Sequence, residues 1–329
     1  MDLNIYTINI NGLRSKRKQN HIKTFLEQNN VDILCIQETF INNNKLAKEF
    51  ENFTGLTKRC IWSFGSENSR GVVVIFKNDI IKIDKFHIDF FGRLAYVDFS
   101  LSDKHIYRII NVYCPNDSGD RNDFLNDIIP HLTVAKQLIL VGDFNFILDT
   151  SLDKIGGNLD KGMLGSKIFK NIIDKHKLID TFRILHPKVR VVTWQRKEQV
   201  STGGFNYIGS RLERFYVYAI SKDQIVDCKI IPCPFSDHNF VHLSLRLSYT
   251  VSFGKSYWKF NDDLLNDNVY LESFEYFWNI VGRTVKITLE WWDEMKIKIK
   301  DFSLEFSSAK RKELFKEYRT LMKQFNGIN

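Results

Sequence analysis

The sequence has few cysteines, and their spacing excludes two common kinds of protein. Its 329 residues contain five cysteines, an odd number without a CxxC pair, so neither a disulfide framework nor a structural zinc site fits. Cys35 and Cys114 lie inside apolar runs with a strand pattern, which favours buried thiols. We therefore expect an intracellular protein of a reducing compartment.

Long hydrophobic runs and several catalytic signatures are also absent. No apolar stretch approaches the roughly 20 residues that span a bilayer, and the first residues lack the pattern of a secretory signal. The sequence contains no glycine-rich phosphate loop, nucleophile elbow or HExxH motif. We expect a soluble, unsecreted protein that has no membrane partner and uses none of those chemistries.

The chain carries an excess of positive charge, which favours a polyanionic partner. Its net charge is +8 and its pI is about 9.1. Residues 249–329 hold 13 Lys and Arg against 12 Asp and Glu, or +1, which leaves +7 on residues 1–248. The excess therefore lies in the same part of the chain as the candidate site described below.

Strand and helix patterns alternate along the first three quarters of the chain. Strands are predicted at 3–10, 31–36, 71–77, 94–101, 106–113, 138–141, 214–218 and 240–247, with helices at 18–28, 122–132 and 166–177. This mixture indicates an α/β (α+β) domain with more than one sheet. The composition then becomes helical, so we expect a domain at 1–248 and a mostly helical segment at 249–329.

Six short polar islands lie where the predicted strands end. They are NING at 9–12, QET at 37–39, NVY at 111–113, GDFN at 142–145, RLER at 211–214 and SDH at 236–238. Open α/β sheets place ligand sites at strand ends. Six islands in this order predict one catalytic cleft.

The residue types in these islands suit phosphodiester hydrolysis with a metal ion. Glu38 offers a hard oxygen ligand for Mg²⁺, although alone it is explained as simply by a helix cap. Asp143 can accept a proton from water and Asn145 can donate to a phosphate; an Asx-turn is the alternative, but two polar side chains at one strand end favour function. His238, beside Asp237, can act as an imidazolium that stabilises phosphoryl charge.

Two further residues have equally plain structural explanations. Tyr113 is consistent with a phenol in the cleft and with a core tyrosine whose hydroxyl is satisfied. Asn9 belongs to an Asn-x-Asn-Gly sequence that is also a good turn.

The ordered motifs NING, QET, NVYCP, GDFN, RLER and SDH resemble the endonuclease/exonuclease/phosphatase superfamily across about residues 1–248. More narrowly, the chain is similar to the apurinic-type endonuclease domain of LINE-type non-LTR retrotransposon polyproteins. Its run LIDTFRILHP…TW, at 178–194, resembles the sequence of those element endonucleases. The segments SYWKFN at 256–261 and WWD at 291–293 resemble the connector to the reverse transcriptase of those elements.

This resemblance implies a four-layer α/β sandwich of two mixed β-sheets flanked by helices, with a C-terminal helical extension. The resemblance implies that Asn9 and Glu38 bind Mg²⁺, for which Mn²⁺ can substitute, and that Asp237 supports the metal or His238. It implies that Asp143 activates water and that Asn145 contacts the scissile phosphate. Tyr113 and His238 would stabilise the phosphorane charge.

The chain departs from the family pattern at two positions. Glu213 stands where the family usually has the Asp that orients the catalytic His, so a longer side chain must reach the same imidazole. Ser210 stands where related repair enzymes carry a Trp that walls the abasic-sugar pocket, which argues against strict abasic-site specificity.

The resemblance also predicts where DNA is contacted. The segment 195–209 corresponds to a hairpin that enters the minor groove, and the predicted DNA-binding residues are Arg196, Lys197, Phe205, Tyr207 and Arg211. A plain surface loop is the alternative.

The predicted function is therefore a Mg²⁺-dependent DNA endonuclease that acts in the nucleus. It would nick double-stranded DNA to leave a 3′-hydroxyl and a 5′-phosphate that prime reverse transcription, with element RNA and a reverse transcriptase as further partners. The alternatives are a phosphatase of the same fold and a catalytically weakened or domesticated nucleic-acid-binding module.

Overall fold

A computed structural model describes residues 2–102, 105–134, 136–157, 166–199, 205–247, 260–281 and 289–325. The chain divides into two compact units, Met1–Ser252 and Phe253–Asn329. The boundary expected from composition, at residue 248, falls outside the described residues, as do the connector residues 256–259.

The first unit alternates strands and helices, as its sequence pattern predicts. Its strands are β1 Asp2–Asn9, β2 Ile33–Gln37, β3 Cys60–Ser63, β4 Val72–Phe76, β5 Lys82–Ile88, β6 Leu94–Ser102, β7 His105–Tyr113, β8 Gln137–Asp143, β9 Lys154–Ile155, β10 Leu178–Asp180, β11 Trp194–Gln199, β12 Phe205–Ser210, β13 Glu213–Tyr218, β14 Ile225–Ile231 and β15 Phe240–Arg246. Its helices are α1 Lys16–Gln28, α2 Asn44–Thr54, α3 Ser118–Leu132, α4 Thr150–Asp153, α5 Ser166–His176 and α6 Thr181–Leu185, with a short 3₁₀ helix at Ala219–Gln224.

Two mixed six-stranded sheets form the centre of this unit. The first has the order β14-β15-β1-β2-β4-β3 and the second the order β10-β13-β8-β7-β6-β5. Alternate side chains of both sheets, such as Ile5 and Cys35 of the first and Val97 and Val141 of the second, share one buried core.

The outer faces of the two sheets are covered by helices. Ile22 of α1 and Phe50 of α2 pack on the first sheet, while Ile128 of α3 and Phe169 of α5 pack on the second. The result is the predicted four-layer α/β sandwich. All five cysteines are free and buried, which confirms the expectation for Cys35 and Cys114.

Strand direction brings the polar islands to one edge of the sandwich. Strands β1 and β2 are parallel, as are β7 and β8, so their carboxyl ends lie side by side. Strands β13 and β15 are antiparallel to β8 and β1, so they begin where those neighbours end. Glu213, for example, is the register partner of Asp143.

Gly142 in β8 is required by close backbone packing at this edge. Its φ is +142°, and a Cβ at this position would lie 2.0 Å from the Val112 carbonyl oxygen on β7. Only glycine therefore lets β8 pair with β7 just before Asp143.

The second unit is helical in its described part. It contains α7 Asn268–Val281 and α8 Leu289–Phe325, preceded by a 3₁₀ helix at Asp262–Asn266. Tyr270 packs against Phe302, and its hydroxyl forms a 2.8 Å hydrogen bond with that of Ser303. Among the described helices, none has both the length and the apolar character needed to cross a membrane.

Candidate active site

Asp143 lies at the centre of the shared edge and joins the two sheets. It ends β8 of the second sheet and is fully buried. Its Oδ2 accepts a 2.8 Å hydrogen bond from Asn9 Nδ2 at the end of β1, in the first sheet. Its Oδ1 accepts one of 2.9 Å from the backbone N–H of Asn145. These two donors fix the carboxylate and leave its remaining lone pairs for a substrate or water.

The surroundings of Asp143 make it an acid–base group for neutral pH. Burial is the largest effect and the charge of Glu213 the second, and together they raise the pKa of Asp143 to about 7, while His238 and the hydrogen bonds to Asn9 and Asn145 oppose the shift. A carboxyl with this pKa exchanges protons readily near pH 7.

His238 and Glu213 form a buried ion pair beside Asp143. The imidazole Nδ1 bonds to Glu213 Oε1, which leaves Nε2 as the nitrogen available to a substrate. Burial alone would lower the pKa of His238, but the charge and hydrogen bond of Glu213, with Asp143 and Asp237 nearby, raise it to about 9. His238 is therefore an imidazolium at neutral pH.

The extra methylene of Glu213 does not prevent this pairing. Glu213 begins β13, and its backbone N–H donates to Thr193 Oγ1 at 3.2 Å. The Thr193 carbonyl in turn accepts a 2.6 Å bond from the Asn239 N–H, next to His238. Thr193 thus links the chain segments that carry the two partners, a role that the sequence did not predict for it.

Asp237 is held by two side-chain donors. Its Oδ2 accepts a 2.9 Å hydrogen bond from Trp194 Nε1, and its Oδ1 accepts one of 3.3 Å from Asn11 Nδ2. The Ser236 hydroxyl ties the same loop to the site by donating to the Asn9 carbonyl at 2.8 Å. In the sequence, Thr193 and Trp194 are part of a family resemblance without an assigned role, and the structure gives Trp194 a specific contact.

Tyr113, Glu38 and Asn145 lie together on the other side of Asp143. The Tyr113 hydroxyl is within hydrogen-bonding reach of the side chains of Glu38 and Asn145. Burial and the charge of Glu38 raise the pKa of Tyr113 well above its usual range, so its phenol remains a donor. Asn145 Nδ2 also donates to the Cys114 carbonyl at 2.7 Å.

Three residues of the site have backbone angles that ordinary residues avoid. Asn11, Glu38 and Asn145 have φ values of 49°, 50° and 53°. Such conformations cost free energy and persist where the surrounding structure enforces them, often at functional sites. Here they lie one or two residues after the ends of β1, β2 and β8.

A layer of amide hydrogen bonds supports the site from below. Gln37 Nε2 donates to Asn111 Oδ1 at 2.6 Å and to Thr7 Oγ1 at 2.9 Å, which connects the two sheets. Asn111 Nδ2 donates to the Val73 carbonyl at 2.9 Å. The sequence marked Gln37 and Asn111 only as members of polar islands at predicted strand ends, and the structure shows that their side chains meet.

Among the described residues, one cluster of acidic and imidazole side chains is close enough to hold a metal ion. Asp143, Glu213 and His238 each offer a ligand atom, all within 4.8 Å of one another. All three are buried, whereas Mg²⁺ prefers oxygen ligands and usually retains several waters. The predicted ligands Glu38 and Asp237 offer carboxylate oxygens at more open positions, half-buried and exposed respectively, and therefore match Mg²⁺ better.

Comparison with known proteins identifies the family and the fold of this chain. The model of the "Endonuclease/Exonuclease/phosphatase family" matches residues 6–238, which contain most of the site. The chain belongs to this family. Solved structures share the fold: an AP endonuclease from Leishmania major has a TM-score of 0.59 at 19% identity, covering 75% of this chain and 88% of that one. A Neisseria 3′ phosphatase bound to a product DNA hairpin has a TM-score of 0.57 at 20% identity, covering 74% of this chain and 100% of that one.

Two relatives by sequence come from different settings. The chain is 27% identical over 323 residues to a transposon TX1 uncharacterized 149 kDa protein of Xenopus laevis, covering 94% of this chain and 23% of that protein. It therefore spans about a quarter of the length of that relative. It is 23% identical over 259 residues to an exodeoxyribonuclease of Bacillus subtilis, covering 73% of this chain and 98% of that protein.

The predicted hairpin of this family member projects beside His238. Strand β11 pairs with β12, and the Gln195 N–H donates to the Asp237 carbonyl at 3.2 Å. Arg196, Lys197 and Tyr207 are exposed, and the Lys197 ammonium lies 5.6 Å from the centre of the Tyr207 ring. Phe205 pairs through its backbone with Gln199, but its side chain is outside the described part.

Arg211 is not exposed, and its prediction as a DNA contact is wrong. Its side chain is 2% exposed and donates to Asp153 Oδ1 at 2.7 Å and to Asp180 Oδ2 at 2.6 Å. These two carboxylates keep the guanidinium inside the protein, away from any phosphate backbone. Arg211 is instead a structural residue that anchors the loop between β12 and β13.

Proposed function

We propose that this protein is a Mg²⁺-dependent endonuclease that nicks double-stranded DNA and leaves a 3′-hydroxyl and a 5′-phosphate. The observation that carries the proposal is the convergence of Asp143, the His238–Glu213 pair and Glu38 on one edge of the sandwich. The similarity to a transposon protein supports a nick that primes reverse transcription in the nucleus, with element RNA and a reverse transcriptase as partners.

Asp143 is the group that activates the attacking water. Since its pKa is about 7, a substantial fraction is ionised at neutral pH and can accept a proton from water. Asn9 and the Asn145 N–H hold the carboxylate in place throughout.

His238 and Tyr113 stabilise the charge that develops on the phosphate. The imidazolium, with Nδ1 fixed by Glu213, presents Nε2 as a charged donor, and the protonated Tyr113 phenol is a second donor on the opposite side of Asp143. Donors that are fixed before reaction stabilise the transition state without having to reorganise. Asn145 lies beside Tyr113 and contacts the same phosphate.

Glu38, Asn9 and Asp237 would hold the divalent ion. When bound, Mg²⁺ neutralises phosphate charge and polarises the phosphoryl group; Mn²⁺ is the natural substitute. Hydrogen bonds from Trp194 and Asn11 orient the Asp237 carboxylate, and each of its oxygens keeps a lone pair that could bind the ion.

The test is the nicking of supercoiled plasmid with Mg²⁺ by wild type, Asp143→Asn and the matched control Asp174→Asn. Asp174 is an exposed carboxylate on α5, so its loss should change nothing. Wild type and control should convert supercoiled to open-circle DNA, and Asp143→Asn should not. DNA ligase alone should reseal the product, because it requires a 3′-hydroxyl and a 5′-phosphate.

Two results would contradict the proposal. If wild-type protein shows no Mg²⁺-dependent nicking but retards plasmid in a gel, the chain is a binding module rather than an enzyme. If nicks form but ligase cannot seal them, the proposed pairing of a 3′-hydroxyl with a 5′-phosphate is wrong.

A further inference from the structure

The turn between β5 and β6 exposes two phenylalanines at the edge that carries the site. Phe90 is 100% exposed and Phe91 is 64% exposed. Adjacent apolar rings in water are unfavourable, so an exposed pair of this kind commonly marks a contact surface. Neither Phe90 nor Phe91 belongs to the active site described above.

The turn is built rigidly. Asp89 Oδ1 accepts hydrogen bonds from the backbone N–H groups of Arg93, at 2.9 Å, and Leu94, at 3.0 Å, and the Ser63 hydroxyl donates to the Asp89 carbonyl at 2.8 Å. Gly92 packs so closely that a Cβ there would lie 2.5 Å from the Phe64 carbonyl oxygen. The two rings are therefore presented by a fixed backbone rather than by a loose loop.

Hydrogen bonds connect this turn to both halves of the site. The Tyr113 N–H donates to the Arg93 carbonyl at 2.8 Å, and the Gly71 N–H donates to the Gly92 carbonyl at 2.9 Å. Gly71 in turn accepts a 3.0 Å bond from the Thr39 N–H, directly after Glu38. The turn thus lies on the Glu38 and Tyr113 side of Asp143, opposite the hairpin that adjoins His238.

The spacing of the strands gives the distance between this turn and Asp143. Arg93 precedes β6, two strands away from Asp143 on β8, which corresponds to roughly 10 Å at a strand spacing of about 4.8 Å. One strand of duplex DNA advances about 3.4 Å per nucleotide, so the turn faces the DNA some three nucleotides from the cleaved phosphate. Arg70, which precedes Gly71 and forms no ion pair within the described residues, adds positive charge beside it.

We infer that Phe90 and Phe91 form an aromatic wedge that inserts at a base step of the bound DNA on the Tyr113 side of the scissile phosphate. This rests on the proposed function, because it requires DNA to lie across the edge. DNA is favoured as the occupant because the first 248 residues carry a charge of +7 and the turn shares its edge with the catalytic groups. Apolar side chains that enter a base step unstack it, kink the duplex and so help to present the phosphate.

The test compares Phe90→Ala/Phe91→Ala with two reference variants of the full chain. Phe90→Trp/Phe91→Trp keeps the aromatic faces, and Ile80→Ala removes an apolar side chain that is 66% exposed in the turn after β4, at the opposite end of the strands. Affinity for a fluorescein-labelled duplex is measured by anisotropy with Ca²⁺. Base unstacking is followed with 2-aminopurine placed at successive positions around the mapped nick.

The alanine pair should bind the duplex about tenfold or more weakly, since stacking on an aromatic ring is worth about one to two decades in affinity. It should also lose the 2-aminopurine signal on one side of the nick. The tryptophan pair should restore both, and Ile80→Ala should match wild type. Hydrolysis of a small ester, thymidine 5′-p-nitrophenyl phosphate, should be equal in all four proteins, because this substrate is too short to reach the turn.

If the alanine pair binds the duplex as tightly as the wild type and gives the same 2-aminopurine signal, the inference is overturned, whether or not the wild type nicks DNA. A loss of self-association in sedimentation, without any change in DNA binding, would assign the rings to a protein contact and overturn it too. If the wild type neither binds nor nicks DNA, the proposed function itself fails, which the plasmid assay shows separately.

Discussion

Replacing Glu213 by Gln tests the electrostatic design of the site with little change in shape. The amide keeps the length of the side chain and can still accept from His238 Nδ1, but the negative charge is lost. Glu213 is the largest influence that keeps His238 protonated, against a burial effect that opposes it. The variant therefore separates charge from position.

The size of the effect follows from the His238 pKa. The shift from 6.5 to about 9 corresponds to about 3 kcal/mol in favour of the imidazolium. Losing most of it should make the ring largely neutral above pH 7 and remove a charged donor, which typically costs about 100-fold or more in kcat. The same change removes the second-largest cause of the raised Asp143 pKa.

Both limbs of the pH profile should consequently move to lower pH. In the wild type, nicking should rise as Asp143 loses its proton near pH 7 and fall as His238 loses its proton near pH 9. Without Glu213 the ascending limb falls below 7, because Asp143 ionises more easily, and the descending limb falls below 9. These limbs belong to the coupled cluster rather than to single residues.

The assay is the initial rate of plasmid nicking from pH 5 to 10 at saturating Mg²⁺, with Glu49→Gln as the control. Glu49 is an exposed glutamate on α2, remote from the ion pair. A Glu213→Gln enzyme with wild-type kcat and unmoved limbs would refute the assignment of His238 as a charged donor set by Glu213.

Three further predictions concern the support of the site. Gly142→Ala should yield little folded protein in circular dichroism, because its Cβ would lie 2.0 Å from the Val112 carbonyl oxygen; a native-like melting curve would contradict this. Trp194→Phe removes the indole donor to Asp237 and should raise the Mg²⁺ concentration for half-maximal nicking several-fold; an unchanged titration would show that the contact is dispensable. Asp153→Asn leaves the buried guanidinium of Arg211 and the partly buried one of Arg183 underpaired, and it should lower the free energy of unfolding in urea by about 3–5 kcal/mol at pH 7. Because the folded pKa of Asp153 is lowered to about 2, its stabilisation is present above pH 4 and lost between pH 4 and 2, so the stability of mutant and wild type should converge only in that acidic range.

Much of the sandwich could be predicted from the sequence because its strands have strong local patterns. The runs that become β1, β2 and β8 are rich in apolar residues, many of them branched, which is typical of buried strands. The polar residues at their ends mark where each strand reaches the solvent. Helix α2, with 11 residues, and strand β3, with 4, were missed. The miss of α2 is not due to a weak pattern, because its buried residues Ala47 and Phe50 are three positions apart, as on one face of a helix.

The sequence by itself determined which side chains are available at the strand ends and that the excess positive charge lies with them. Only the tertiary structure decided which of those side chains pair. Asn9 meets Asp143 across 134 positions, and Glu213 reaches His238 despite its extra methylene, because strand register rather than local sequence sets the separation. The same reason explains Arg211: the family resemblance suggested a DNA contact, but the carboxylates that bury it lie 31 and 58 residues away, and no local pattern records such a contact.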